Sequence, residues 1–168
     1  KQNQKQKYQT DYTQPQISYR IVDNKVAIMT VPTFTNINKL SDTCSDMFTE
    51  LNQKNITNLV IDIRDNGGGS SMAADTLLSY IAKHPFKQFD KVWHKVTPLT
   101  QKLTSRAYNQ GVFYDLVEEE TLPNKDNFDG QVLVLVNHRT FSAAASFAWT
   151  VKAYGMGTLV GEETGGMN

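Results

Sequence analysis

Hydrophobic positions along this chain change period several times, and each change marks an element. Ile17 to Asp23 and Lys25 to Val31 each read as strands, joined at the turn-prone pair Asp23-Asn24. Pro32 stops the second. Ile37, Leu40, Cys44, Met47, Phe48 and Leu51 recur at helical spacing, which predicts an amphipathic helix over 37–53. Leu59-Val60-Ile61-Asp62-Ile63 is short and mostly apolar, the pattern of a strand buried on both faces. Gly67-Gly68-Gly69 then leads into a helix expected over about 71–83, ended by His84-Pro85. Phe89 to Thr97 reads as a strand. The polar stretch 98–129, with Glu118-Glu119-Glu120 and Pro123, reads as a surface excursion of helix or loop. Val132 to Val136 is a second strand expected to be buried on both faces. Helical spacing resumes from Ser142 through Phe147, Trp149, Val151 and Tyr154 and closes at Gly155, before a last short strand, Thr158 to Val160.

Buried strands alternating with helices predict an α/β layered domain with a mostly parallel sheet flanked by helices. We expect a polar, flexible segment over 1–16 and one core domain over 17–168, since 168 residues suffice for one proper core and scarcely for two. Seventeen basic and 17 acidic residues cancel, leaving no electrostatic footprint for nucleic acid or an anionic membrane. No apolar run approaches the ~20 residues of a membrane span. The Gln/Lys-rich start carries no signal peptide, and the expectation is a mature or trimmed chain, incomplete at both ends. The single Cys44 falls in a helical pattern and reads as a packed thiol. Three scattered histidines offer no metal-ligand spacing, and no cofactor is expected.

In open parallel sheets, ligands bind where strands end and helices begin. Two such junctions carry chemistry: Ile63-Arg64-Asp65-Asn66-Gly67-Gly68-Gly69-Ser70 and Val136-Asn137-His138-Arg139-Thr140-Phe141-Ser142-Ala143-Ala144. Three glycines permit positive φ and can aim N–H groups at an anion; they serve equally as a tight turn. Ser142, at the start of a helix, is either an N-cap or a nucleophile favoured by the helix dipole.

The two junctions also carry a resemblance. Leu59-Val60-Ile61-Asp62-Ile63-Arg64-Asp65-Asn66-Gly67-Gly68-Gly69 is similar to a signature of the C-terminal processing peptidases, the tail-specific protease family that also includes the tricorn core and retinoid-binding modules. Thr140-Phe141-Ser142-Ala143-Ala144-Ala145-Ser146-Phe147-Ala148 resembles that family's nucleophile segment, and Tyr154-Gly155 and Leu159-Val160-Gly161-Glu162-Glu163-Thr164-Gly165-Gly166 follow at matching distances. The resemblance implies a ClpP/crotonase-like core, Ser142 as nucleophile, and an oxyanion hole from the amides of Ala143 and Gly69, with Gly68 as fallback. Gly67 and Gly68 would help to hold an extended peptide or protein substrate. It also implies export to the bacterial envelope or periplasm.

Two positions depart from the family pattern. Where processing enzymes carry a lysine base, this sequence has Met167, and a thioether accepts no proton. The resemblance then implies the branch whose base is a histidine from a segment before Lys1. Ala145 stands where glutamate is usual. His138, His94 and His84 are weaker candidates for the base, reading respectively as a turn residue, a sheet-face residue and a helix-end residue. Asp62 and Arg64 read as a structural pair, and Glu162 and Glu163 as turn residues at a pocket rim. Two function classes stay open: a serine peptidase completed from outside these residues, and a non-catalytic peptide- or ligand-binding module on the same fold.

Overall fold

The computed structural model describes residues 16–103, 111–116 and 119–167. Strands β1 (Ser18–Val22) and β2 (Val26–Thr30) form an antiparallel hairpin. Its turn needs positive φ at two consecutive residues, and Asp23 (φ 52°) and Asn24 (φ 54°) are short side chains that tolerate it. Helix α1 (Ile37–Gln53) begins where the Asn36 side chain accepts the Lys39 N–H at 3.0 Å. It buries the stripe Leu40, Cys44, Met47, Phe48 and Leu51.

β3 (Asn58–Asp62), α2 (Ser71–Ser79), β4 (Lys91–Val96), α3 (Pro98–Leu103), β5 (Gly111–Leu116), β6 (Gln131–Val136), α4 (Ala143–Ala153) and β7 (Thr158–Gly161) follow. The main sheet runs β1-β2-β3-β6-β7, antiparallel only at β1–β2. Rows such as Ala27, Leu59 and Val132, or Met29, Ile61 and Val134, lie in register across it and are buried. At about 1.5–3 kcal/mol for each large apolar side chain, this face and the helices covering it supply the main stabilisation. No helix is long and apolar enough to cross a membrane among the described residues.

The α/β fold with its mostly parallel sheet is as expected, and α1 spans the residues that its periodicity predicts. Three features differ. Among the described residues, the sheet is covered by helices on one face, against which α1, α2 and α4 pack; on the other, Leu133 of β6 and Val160 of β7 remain 40 % and 45 % exposed. Helix α2 stops at Ser79 instead of running toward His84. The Ser79 and Tyr80 carbonyls accept instead from the N–H groups of Asn124 (2.8 Å) and Phe128 (2.7 Å), which replace the bonds of a further helical turn. Finally, part of the polar excursion is a strand: β5 pairs antiparallel with β4 in a separate two-stranded ribbon.

Candidate active site

β3 and β6 are neighbours in the sheet, which brings both junctions to one place at their carboxyl ends. The turns after these strands are tied together by hydrogen bonds. Asp65 N–H donates to Asn137 Oδ1 and Asn137 Nδ2 to Asp65 Oδ1, both at 3.0 Å. The buried Thr140 hydroxyl donates to the Ile63 carbonyl at 3.0 Å, and Phe141 N–H to the Asn66 carbonyl at 3.0 Å.

Asn66 holds the glycine loop. It is fully buried, and its Nδ2 donates to the Val31 carbonyl at 2.9 Å while its Oδ1 accepts the Gly68 N–H at 2.8 Å. The loop is further clamped on both sides of Phe34, whose N–H donates to the Gly68 carbonyl (2.9 Å) and whose carbonyl accepts the Ser70 N–H (3.0 Å). The Gly68 N–H is thereby occupied. The Gly69 N–H makes no such bond: among the described residues it has no hydrogen-bond acceptor.

The glycines are required for distinct reasons. A Cβ on Gly68 would lie 2.8 Å from the Ser142 Cβ and 3.0 Å from the Ala143 nitrogen, so the loop backbone rests directly on the serine turn. A Cβ on Gly69 would meet the Phe34 carbonyl carbon at 2.5 Å, and its φ of 137° suits only glycine. Gly67 has open space around it and is exposed.

Ser142 sits immediately before α4 with φ 52° and ψ −125°, a conformation rare outside glycine. Its N–H is held by the Gly166 carbonyl at 2.9 Å. Its side chain makes no capping bond to the helix, so the N-cap reading of this serine has no support in the geometry. The turn between strand and helix at Ser142 is a strained one. Ala143 is the first residue of α4, where a helix has no acceptor for the amide.

Ser142, Ala143 and Gly69 line one cavity of ≈ 230 Å³. Ser71, Ser146, Phe89 and Met167 complete its wall. Gly67 and Gly68, expected to contact substrate, are not on that wall. Met167, the position at which lysine would stand, is on it, 50 % exposed.

The histidines lie elsewhere. His138 Nδ1 is 2.9 Å from Glu162 Oε2, and this hydrogen bond holds the Glu162 carboxyl below its usual range. His84 is exposed beyond α2, and His94 lies on β4 of the separate ribbon. Among the described residues the Ser142 hydroxyl has no hydrogen-bond partner. Asp62 and Arg64 pair as expected (2.7 Å between Oδ2 and Nη2), and that hydrogen bonding lowers the Asp62 pKa. Burial pushes the Cys44 thiol up to about 12, which leaves it inert at neutral pH.

Several residues of the site have no local signal in the sequence. Gln88 and Phe89 arrive from the connection between α2 and β4. Ser146 could have been found from its place one helical turn after Ser142, and Asn66 from its position just before three glycines.

The α/β sheet thus carries an uncapped serine at positive φ on the same cavity as the unbonded backbone N–H groups of Gly69 and Ala143. The chain belongs to peptidase family S41, whose profile it matches over residues 25–168. Among solved structures it is similar to the photosystem II D1 C-terminal processing protease, with 21 % identity, TM-score 0.60, and coverage of 88 % of this chain and 36 % of the other. A lipoprotein from Streptococcus agalactiae shares the fold at 15 % identity and TM-score 0.58, over 90 % of this chain and 50 % of that one. Mature CPAF complexed with lactacystin does so at 14 % identity and TM-score 0.59, over 83 % and 38 %. The chain thus spans half or less of the length of each of these structures. The family resemblance carried by the two junction motifs is borne out, as is the layered α/β fold.

Proposed function

We propose that these residues form the core of a serine-type peptidase in which Ser142 attacks the scissile carbonyl and the N–H groups of Gly69 and Ala143 stabilise the oxyanion. The observation that carries this reading is the Ser142 turn: a non-glycine residue at φ 52° with an unengaged hydroxyl, on the same cavity as the unbonded Gly69 N–H. Strain of this kind costs on the order of 1–3 kcal/mol and persists where function needs it. A serine hydroxyl also needs a base to become a useful nucleophile. We assign that role to a histidine from outside these residues, since position 167 carries a thioether and His138 is paired with Glu162. The substrate is then a peptide or protein segment crossing the carboxyl ends of β3 and β6.

The unpartnered Ser142 hydroxyl also favours a second reading, a binding module that keeps the fold without turnover. One experiment separates the two. A fluorophosphonate probe should label the full-length protein at Ser142, the Ser142→Ala variant should not label, and the native protein should cleave unstructured peptides. A full-length protein that is folded, unlabelled and inert toward peptides is the binding module.

A further inference from the structure

Ser146 follows Ser142 by one turn of α4 and forms part of the cavity wall, although it is only 2 % exposed. Its hydroxyl lies 2.7 Å from Gln88 Oε1. The direction of this bond can be deduced. Gln88 Nε2 is 2.9 Å from the Ser71 carbonyl oxygen, which can only accept, and 2.8 Å from Asp75 Oδ1. The amide nitrogen must therefore face that pair, and the amide oxygen must face Ser146. An amide oxygen accepts only, so Ser146 spends its single proton on Gln88. What remains on the Ser146 oxygen is lone pairs. Gln88 is itself 4 % exposed, so the network is locked in place by packing from α2 and α4.

We propose that Ser146, oriented by Gln88 and Asp75, makes the floor of the cavity beside Ser142 a hydrogen-bond acceptor, and that the cavity selects an uncharged substrate side chain ending in a donor. The rest of the wall suits such a guest. Phe89, Met167 and Ala143 offer apolar contact for the body of a side chain, and besides Ser142 the polar side chains on the wall are Ser146 and Ser71. At ≈ 230 Å³ the cavity admits a side chain of medium length. The assignment of this guest as the residue preceding the scissile bond rests on the serine-peptidase reading. The acceptor character of the floor does not.

The test compares peptides that differ only at that residue in three shape-matched pairs: Thr and Val, Asn and Leu, Gln and Met. Cleavage by the full-length protein gives a polar-to-apolar ratio of kcat/KM for each pair, and Ser146→Ala gives the same ratios without the acceptor. We expect the ratio of the best-fitting pair to fall by about 3- to 10-fold in Ser146→Ala, the worth of one neutral hydrogen bond. If Ser146→Ala does not fold, Gln88→Met takes its place, because it frees the Ser146 proton and so blurs the acceptor. Calorimetric titration with product peptides ending in the same residues repeats the comparison without chemistry. Ratios that stay within about twofold in all three pairs, with cleavage intact, overturn the acceptor floor and leave the peptidase reading standing. The ratio shift in binding without any cleavage supports the floor and removes the peptidase reading. A protein that neither binds nor cleaves any of the peptides overturns both.

Discussion

Ser142 sets two requirements against each other. Its turn passes through φ 52° to carry the chain from β6 into α4, and the proposed peptidase reading needs a hydroxyl there. Glycine satisfies the first and not the second. Relief of about 1–3 kcal/mol of strain outweighs the ~0.5–1 kcal/mol that glycine's greater freedom costs in the unfolded chain. We therefore expect Ser142→Gly to be more stable than Ser142→Ala by about 1 kcal/mol in denaturant unfolding, with both variants unlabelled by fluorophosphonate. A Ser142→Gly protein less stable than Ser142→Ala would mean that the turn is not strained. Gly69 is unsuited to the same approach, because any Cβ there strikes the Phe34 backbone and proline cannot adopt φ 137°. These backbone facts mark the limit of what the sequence reveals at this scale. A serine opening a helix looks the same whether it caps or attacks; only the missing cap bond and the positive φ separate the two. The substitution at 167 was legible as a departure, and the structure adds that its side chain reaches the cavity shared with Ser142.

At the scale of elements, the site depends on the pairing of β3 with β6 and on one residue, Asn66, that fastens the turns beyond them through its side chain and its backbone carbonyl. Asn66 reaches the end of β2 through the Val31 carbonyl, the glycine loop through the Gly68 N–H, and the serine turn through its own carbonyl and Phe141 N–H. Asn66→Ala leaves a buried N–H and a buried C=O without partners, each costing about 1–3 kcal/mol. We expect a loss of about 2–4 kcal/mol in stability together with slower labelling of Ser142, since the Gly69 N–H is no longer held in position. Labelling at the native rate in a folded Asn66→Ala protein would separate Asn66 from the site. Periodicity disclosed most of these elements, since α1 shows its buried stripe plainly at Leu40, Cys44, Met47, Phe48 and Leu51. It failed where distant chain intervenes. Carbonyl capture by Asn124 and Phe128 ends α2 early, and apolar runs on β3 and β6 gave no sign that one face lacks a covering layer.

The molecule as a whole is assembled from two unequal parts of the chain. The five-stranded sheet and helices α1, α2 and α4 hold the site, while β4, α3 and β5 lie between α2 and β6 in sequence without joining that sheet. No sequence pattern announced this division, because β4 and β5 are as strand-like locally as the members of the main sheet. At the base of the excursion Phe86 and Thr121 bond each other twice, Phe86 N–H to the Thr121 carbonyl at 3.0 Å and Thr121 N–H to the Phe86 carbonyl at 2.9 Å. That small clamp closes the intervening segment like a drawstring. The consequence we expect is modularity: the segment should tolerate changes of length and content while the register of β3 against β6 stays fixed. Replacing residues 90–118 with a short Gly/Ser turn keeps Gln88, Phe89 and the clamp. Shortening the loop about threefold lowers its closure cost by about 1 kcal/mol, so the trimmed protein should melt within a few degrees of the parent and still label at Ser142. A trimmed protein that cannot fold would show the segment to be a structural partner of the sheet. One that folds and labels would show a port at which a new recognition surface can be grafted without disturbing the Ser142 turn.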